Sequence, residues 1–312
     1  MRVVPLSEVT IESAAELFEE EIQCWRSQLF WDYQPAVSLI SKYIESRTLP
    51  GYGLITASGR VAGYSYYAVS HPIGYVGNMF VRRKSASPQS YDQLLDPTVS
   101  SLRAWGRVQR IECQAFSFNC DLAPLFTRYG FEALERHFLC RDLVSRKDVG
   151  KQSDLASAFR IVNWESRYLE PAAQVVFDSY QTSADYRICR DYQSQQGCLR
   201  FLRNLVDSPG CGTFFPETSY LALDSSGRVC AVLITSKIGP ETGMIPQISV
   251  RQNCQGKGIG SQLLETYFQS AHRLGLKRVA LSVSKSNKGA HQLYTRLGFS
   301  TAKDFHAFIW NV

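Results

Sequence analysis

A glycine-rich run between an apolar segment and an amphipathic segment has the residue types and spacing to bind an anion. The run is Gln-Gly-Lys-Gly-Ile-Gly at positions 255–260. Apolar residues then recur with the one-face spacing of a helix, at Leu263, Leu264, Tyr267, Phe268, Ala271 and Leu274. A helix that begins in glycines leaves its first backbone N–H groups without partners, and its dipole favours negative charge there. The segment therefore predicts a phosphate or pyrophosphate site.

The glycine spacing disfavours two other phosphate-binding motifs. It is not G-x-x-x-x-G-K-[ST], so a P-loop is disfavoured. It is not G-x-G-x-x-G either, and no acidic residue ends a following strand, which weakens the dinucleotide interpretation. For this segment taken alone, a glycine-rich turn without any ligand remains the alternative.

A second motif follows one predicted strand later. Residues 277–283 alternate apolar side chains as a strand does. Residues 287–299 then read Asn-Lys-Gly-Ala-His-Gln-Leu-Tyr-Thr-Arg-Leu-Gly-Phe. The tyrosine, Tyr294, carries a phenol whose ordinary pKa of about 10 suits it to donate a proton to a basic group. The alternative is a core aromatic residue with a satisfied hydroxyl.

Together, the two motifs resemble the GNAT superfamily of acyl-CoA-dependent N-acetyltransferases. The resemblance rests on Gln-x-x-Gly-x-Gly followed by Asn-x-x-Ala-x-x-Leu-Tyr-x-x-x-Gly-Phe, and it covers roughly residue 159 to the last residue. It implies acetyl-CoA as a co-substrate and direct transfer of its acetyl group to a primary amine in a ternary complex.

The resemblance also implies roles for individual residues. Those that would bind the coenzyme A pyrophosphate are Gln255, Gly256, Lys257, Gly258, Ile259, Gly260 and Ser261. Those that would hold the pantetheine arm and the acetyl carbonyl are Ile248, Ser249 and Val250, with Asn287 contacting the cofactor arm. Tyr294 would be the general acid.

The general base is not evident in the sequence. Many members of the superfamily carry a glutamate on the strand before the glycine run, but residues 244–250 contain no carboxylate. The nearest acids are Glu241 and Glu217; Glu241 is the candidate base, and both also fit solvated loop positions. Pro246 cannot donate to a strand ladder and marks an edge or a bulge. In a protein of this family, a splayed strand there would admit the cofactor.

An internal repeat predicts two tandem domains. Ser58-Gly59-Arg60-Val61 recurs as Ser226-Gly227-Arg228-Val229, and Gly130-Phe131 recurs as Gly298-Phe299. We expect a degenerate GNAT-like domain over 1–147 and a catalytic one over 157–312, joined by a polar linker at 145–154. By resemblance, each is an α/β (α+β) domain with a mixed, mostly antiparallel central sheet flanked by helices.

The first copy lacks the residues that carry the chemistry. Where the second has its glycine run, the first has Ala86, Ser87, Gln89 and Tyr91, with Pro88 between them, and Phe126 matches Tyr294. We expect this copy to be structural, to shape the cleft, or to replace a second subunit, so that the protein is a monomer. The tandem arrangement resembles mycothiol synthase in layout only.

Composition restricts the other classes of function. No apolar run is long enough for a membrane span and residues 1–5 do not open a signal peptide, so we expect a cytoplasmic protein. Nine cysteines without a C-x-x-C pair predict neither disulfides nor a metal site. Cys254 fits a buried small residue better than an acyl-cysteine nucleophile. A net charge of +6 without a basic block predicts no nucleic-acid partner.

The early helices of each copy carry aromatic and charged residues on the side where this family binds its acceptor. In the second copy these are Tyr180, Asp185, Tyr186 and Arg187. They suit a small-molecule amine of amino-acid-like character, or a peptide. An acyl-CoA-binding regulatory module without turnover is the alternative function, and donors with longer acyl or aminoacyl groups stay open.

Overall fold

The computed structural model describes residues 1–143, 159–181, 183–208 and 210–312. The predicted linker at 145–154 lies outside them. The chain forms two compact units, one of residues 1–136 with 304–312 and the other of residues 137–303. These bounds differ from the predicted 1–147 and 157–312, because the last strand of the chain pairs within the first unit.

The elements follow in chain order. Strands and helices of the first half are β1 (Arg2–Pro5), α1 (Ile11–Leu29), α2 (Gln34–Glu45), β2 (Gly51–Ile55), β3 (Val61–Ser70), β4 (Ile73–Val81), α3 (Pro88–Ala104), β5 (Arg110–Ala115), α4 (Ala123–Arg128) and β6 (Glu132–Asp142). Those that follow are β7 (Arg160–Asn163), α5 (Leu169–Tyr180), α6 (Gln195–Asp207), β8 (Thr213–Phe214), β9 (Tyr220–Leu223), β10 (Val229–Lys237), β11 (Thr242–Val250), α7 (Ile259–Arg273), β12 (Arg278–Ser284), α8 (Lys288–Arg296) and β13 (Ser300–Asn311).

Each unit is built on a mixed, mostly antiparallel sheet. In the first unit the strand order is β1-β2-β3-β4-β5-β13, and the parallel pair is β4 with β5. In the second unit the order is β6-β12-β11-β10-β9-β7, and β11 pairs parallel with β12. The repeat seen in the sequence therefore recurs as the same succession of strands, and the predicted fold class is confirmed.

The apolar face of α7 packs on the second unit's sheet. Five of the six residues predicted for that face are at most 3% exposed, namely Leu263, Leu264, Tyr267, Phe268 and Ala271. The prediction for Leu274 was wrong. That side chain is 49% exposed because α7 ends at Arg273, so Leu274 no longer follows the helical spacing.

The first unit buries a carboxylate where α1 meets the sheet. Glu21 is fully buried and accepts hydrogen bonds from the hydroxyl of Tyr64 at 2.9 Å and from the side-chain amide of Asn78 at 2.5 Å. Close by, Trp25 stacks on Tyr33 with ring centroids 4.1 Å apart. Burial raises the pKa of Glu21 to about 7, because the charged form loses its hydration.

Substituting Glu21→Gln is expected to flatten the pH dependence of stability between pH 4.5 and pH 7. In the wild type the folded pKa lies above the ordinary value of 4.5, so the stabilising contribution is complete below pH 4.5 and lost as pH rises through 7. The loss amounts to about 3 kcal/mol. Urea midpoints followed by tryptophan fluorescence at several pH values measure it. The exposed neighbour Glu19→Gln is the control, and an undiminished slope in Glu21→Gln would contradict the assignment.

Candidate active site

The second half of β11 separates from β12. Residues 242–245 pair with residues 278–281, and the pairing between these strands ends there within the described residues, while β10 pairs with β11 as far as Val250. Pro246 comes directly after the last paired residue. Proline has no N–H to give the ladder, and the register against β10 places Ile245 and Pro246 opposite the single residue Thr235. This bulge turns the second half of β11 away from β12 and leaves that edge of β11 without a neighbouring strand among the described residues.

Two backbone N–H groups point out of that open edge. The N–H of Arg251 donates to the carbonyl of Cys230 at 2.8 Å. Since hydrogen-bonded and non-hydrogen-bonded pairs alternate along an antiparallel ladder, Gln247 and Ser249 also bond to β10. The N–H groups of Ile248 and Val250 therefore face the side vacated by β12, where they can donate to a ligand carbonyl.

The glycine loop at 255–260 ends on an uncapped helix. Gly258 precedes α7 with φ at 77° and provides no side-chain cap. The N–H groups of Ile259, Gly260 and Ser261 lie in the first turn, where no preceding carbonyl is within reach. A Cβ added at Gly256 would meet nothing within 4 Å. Donors, dipole and open space at this helix start together suit an anion.

Gln255 fastens this loop to the strand beside it. Its side-chain amide donates to the carbonyl of Val250 at 2.9 Å. At the end of β11, Arg251 lies 3.6 Å from the carboxylate of Asp178. The exposed side chain of Lys257 adds positive charge at the loop. The loop is thus held against the open edge of β11.

The equivalent region of the first unit is closed. Ser87 caps α3 by accepting from the N–H of Ser90, whose hydroxyl accepts from the N–H of Ser87 in return, and Pro88 has no N–H to offer. Tyr91 is only 2% exposed. Asn119 donates to the carbonyl of Val81 at 2.8 Å. The start of α3 is therefore capped by side chains within the protein, whereas the start of α7 has no side-chain cap.

An aromatic ring covers the corresponding bulge in the first unit. Gly77 is the extra residue of β4, and β4 pairs with β5 only as far as Val76. A Cβ at Gly77 would lie 2.0 Å from the ring of Tyr66. Tyr66 therefore packs directly on the backbone at the position where the strands separate.

Asn287 lies directly before α8, and Tyr294 lies within that helix and in the hydrophobic core of the second unit. Asn287 caps α8 by accepting from the N–H of Ala290 at 3.2 Å, and its side-chain amide donates to Asp185 at 3.1 Å. Tyr294 is 7% exposed and packs edge-on against Phe299, with ring centroids 5.8 Å apart. Burial, with smaller contributions from Tyr180 and Asp185, raises the pKa of Tyr294. The phenol therefore holds its proton at neutral pH.

Helix α5 approaches β11 from the side predicted to bind an acceptor. The hydroxyl of Ser179 donates to that of Ser249 at 2.8 Å, and the hydroxyl of Tyr180 donates to the side-chain carbonyl of Gln247 at 3.5 Å. Gln247 in turn donates to Ser249 at 2.8 Å. The sequence prediction omitted Gln247, although a polar residue alternating with apolar ones along a buried strand is the signal that indicates it.

Glu241 lies away from these groups. It comes just before β11, and its exposed carboxylate is 2.5 Å from the ammonium of Lys277. Seven residues of strand separate it from Ile248, which is roughly 20 Å. The structure therefore does not bring the candidate base together with Tyr294. Asp185 is instead the carboxylate near Tyr294, and the sequence prediction had placed it only on the acceptor side.

Cys254 belongs to the hydrophobic core of the second unit. It is 7% exposed, and its thiol donates to the side-chain carbonyl of Asn253 at 3.3 Å. Burial, with a smaller effect of Cys254, raises the pKa of the neighbouring Cys230 to about 11. Both thiols are therefore packing residues.

The described residues also bear on metal sites and on membrane spans. Among them, no three histidine, cysteine, aspartate or glutamate side chains come together in a group suited to a metal ion. In the same part of the chain, each helix is too short or too polar to span a bilayer.

Residues 179–299 match the model of a family described as acetyltransferase (GNAT) family. The uncharacterized N-acetyltransferase YobR of Bacillus subtilis is 31% identical over 98 residues, which are 31% of this chain and 37% of that protein. The N-alpha-acetyltransferase MAK3 of Arabidopsis thaliana is 33% identical over 101 residues, 31% of this chain and 52% of that protein. The match thus spans about half or less of each curated relative.

Solved structures share the fold over nearly the whole chain. A GCN5-related N-acetyltransferase from Sphaerobacter thermophilus superposes with a TM-score of 0.73 at 15% identity, covering 99% of this chain and 95% of that one. A tandem GNAT protein from the clavulanic acid biosynthesis pathway gives a TM-score of 0.65 at 13% identity, covering 99% and 98%. At such identities the likeness concerns the fold alone.

Proposed function

We propose that this chain is an acetyl-CoA-dependent N-acetyltransferase that acts on a primary amine, of the acetyltransferase (GNAT) family whose model residues 179–299 match. The observation that carries the proposal is the pairing of an uncapped, glycine-rich helix start with the open edge of β11. The two features supply donors for a pyrophosphate and for a carbonyl group on one continuous segment of chain, residues 248–261.

The residues present fit the chemistry of coenzyme A. The N–H groups of Ile259, Gly260 and Ser261 would bind the pyrophosphate, with the helix dipole and the ammonium of Lys257 opposing its charge. The N–H groups of Ile248 and Val250 would bind the pantetheine arm and the acetyl carbonyl. Asn287, already engaged as the cap of α8, would contact the arm at its other side.

The mechanism follows from these contacts. Acetyl-CoA, when bound, supplies an acetyl group on a thioester. A backbone N–H at the open edge of β11 would polarise its carbonyl oxygen, so that a neutral amine attacks the carbonyl carbon more readily. As the carbon–sulfur bond breaks, the phenol of Tyr294 would give its proton to the sulfur, and the proton that the attacking nitrogen loses would return to the phenolate. Burial raises the pKa of Tyr294, so the phenol carries its proton at neutral pH, although the same shift makes it a weaker acid toward the thiolate.

A binding module without turnover is the second candidate. The observation that favours it is the absence of a carboxylate on β11, together with the position of Glu241 beside Lys277. The rate of thiol release from acetyl-CoA, measured with a broad panel of primary amines, distinguishes the two. Steady, amine-dependent release supports the enzyme, whereas tight binding without release supports the module.

Gly260→Asp is expected to weaken acetyl-CoA binding by about tenfold or more. The fold accommodates a side chain there, because an added Cβ meets only Val250 Cγ2, at 3.6 Å. An acidic residue in the first turn even stabilises a helix. The same carboxylate repels a pyrophosphate held by that turn. Isothermal titration calorimetry measures the dissociation constant.

Gly106→Asp in the first unit is the matched control for this substitution. It introduces the same charge at a glycine where an added Cβ meets nothing within 4 Å, and it should leave acetyl-CoA binding unchanged. An equal dissociation constant for wild type and Gly260→Asp would remove the α7 start from the site.

Tyr294→Phe is expected to lower kcat by about 100-fold or more and to leave acetyl-CoA affinity nearly unchanged. The substitution keeps the ring that packs against Phe299 and removes only the proton that the sulfur needs. Steady-state kinetics with the best amine of the panel give kcat, and calorimetry gives the affinity. A kcat equal to that of the wild type would exclude Tyr294 as the general acid.

A further inference from the structure

Asp185 has a buried carboxylate, and within the described residues only one of its two oxygens has a hydrogen-bond partner. The residue is 8% exposed. Its Oδ2 accepts a hydrogen bond from the side-chain amide of Asn287 at 3.1 Å. Its Oδ1 is buried and has no hydrogen-bond partner among the described residues. A buried carboxylate oxygen without a partner is costly, so such an oxygen indicates a group that completes it.

The backbone around Asp185 fixes where this oxygen lies. Residues 184–187 form a short 3-10 helix, and the hydroxyl of Ser183 caps it by accepting from the N–H of Asp185 at 3.1 Å. The hydrogen bond from Asn287 ties the carboxylate to the start of α8, the helix that carries Tyr294. The carboxylate is near enough to Tyr294 for its charge to contribute to the raised pKa of that phenol. Asp185 is therefore a positioned group beside the proposed general acid.

The surroundings of Asp185 suit an organic cation. Tyr180 also acts electrostatically on Tyr294, and its ring stacks on that of Tyr192 with centroids 3.8 Å apart. A buried carboxylate attracts an alkylammonium group by charge and by a charge-assisted hydrogen bond. No metal-binding group of side chains occurs in the described part of the chain, so a metal ion fits less well.

We propose that Asp185 is the specificity-determining residue for the acceptor, and that its Oδ1 accepts a hydrogen bond from the acceptor's primary ammonium group as it binds. That group then gives one proton to solvent and becomes the neutral amine that attacks. This role rests on the proposed acetyltransferase function. It selects aliphatic primary amines, which are positively charged at neutral pH, over neutral aromatic amines. It also places the acceptor nitrogen beside Tyr294, on the α5 side of β11.

Asp185→Asn tests the role with little change of shape. Asparagine still has an oxygen to accept from Asn287, but it carries no charge. With the best aliphatic amine found for the wild type, we expect kcat/KM for the amine to fall by about 30-fold or more. The dissociation constant for acetyl-CoA should stay within about twofold of the wild type. Hydrolysis of acetyl-CoA without any amine should also be unchanged, because it does not use the acceptor contact.

Asp207→Asn is the control, since it makes the same change at an exposed position at the end of α6. It should leave all three quantities unchanged. An unaltered kcat/KM for the amine in Asp185→Asn would overturn the assignment while leaving the acetyltransferase proposal intact. If Asp185→Asn lost both acetyl-CoA binding and amine turnover, the role of Asp185 would be structural, and the proposed acceptor contact would also be overturned. Absence of amine-dependent release in the wild type would instead overturn the proposed function, and this role with it.

Discussion

The end of hydrogen bonding between β11 and β12 at Ile245 and Leu281 is the constraint on which the proposed site depends. A proline follows the last paired residue, and the bulge opposite Thr235 turns the strand. Without that break, the N–H groups of Ile248 and Val250 would bond to β12 as a continuous ladder does. With it, they lie on an open edge whose far end runs directly into the glycine loop and the start of α7.

The two units show how one sheet topology supports an open site and a closed one. The bulge and the end of the parallel pairing recur at Gly77 and Val76 in the first unit. There the ring of Tyr66 packs on Gly77, Ser87 and Ser90 cap the helix, and Asn119 bonds to Val81. Architecture therefore depends on strand order and core packing, whereas the site depends on donors left unpaired. The missing glycines of the first unit coincide with a capped helix start, which is the physical observation that supports a first unit without a cofactor site.

The features that could be predicted from the sequence are those that depend on residues close together along the chain. Helical spacing gave the buried face of α7, and the glycine spacing gave its uncapped start, because each depends on residues within a few positions of one another. The same spacing extended the buried face one residue too far, because α7 ends at Arg273 and Leu274 lies exposed beyond it. The unit that receives β13 was not predictable, since an alternating strand pattern does not specify which edge of which sheet it joins.

The acidic residues illustrate the same limit. Glu241 is near β11 in sequence but lies at the opposite end of the strand from Ile248, paired with Lys277. Asp185 is about a hundred positions from Asn287 in sequence, and only the fold brings the two side chains into hydrogen bonding. Its unpartnered oxygen is a property of the packed structure. No spacing rule in the sequence would have selected it over the other carboxylates of the chain.

The stoichiometry of acetyl-CoA binding to the whole chain tests the central claim most directly, namely that the start of α7 and the open edge of β11 form a cofactor site which the first unit has closed. Isothermal titration calorimetry of the intact protein measures it. One molecule of acetyl-CoA is expected to bind per chain. Two molecules per chain, or no binding, would contradict it.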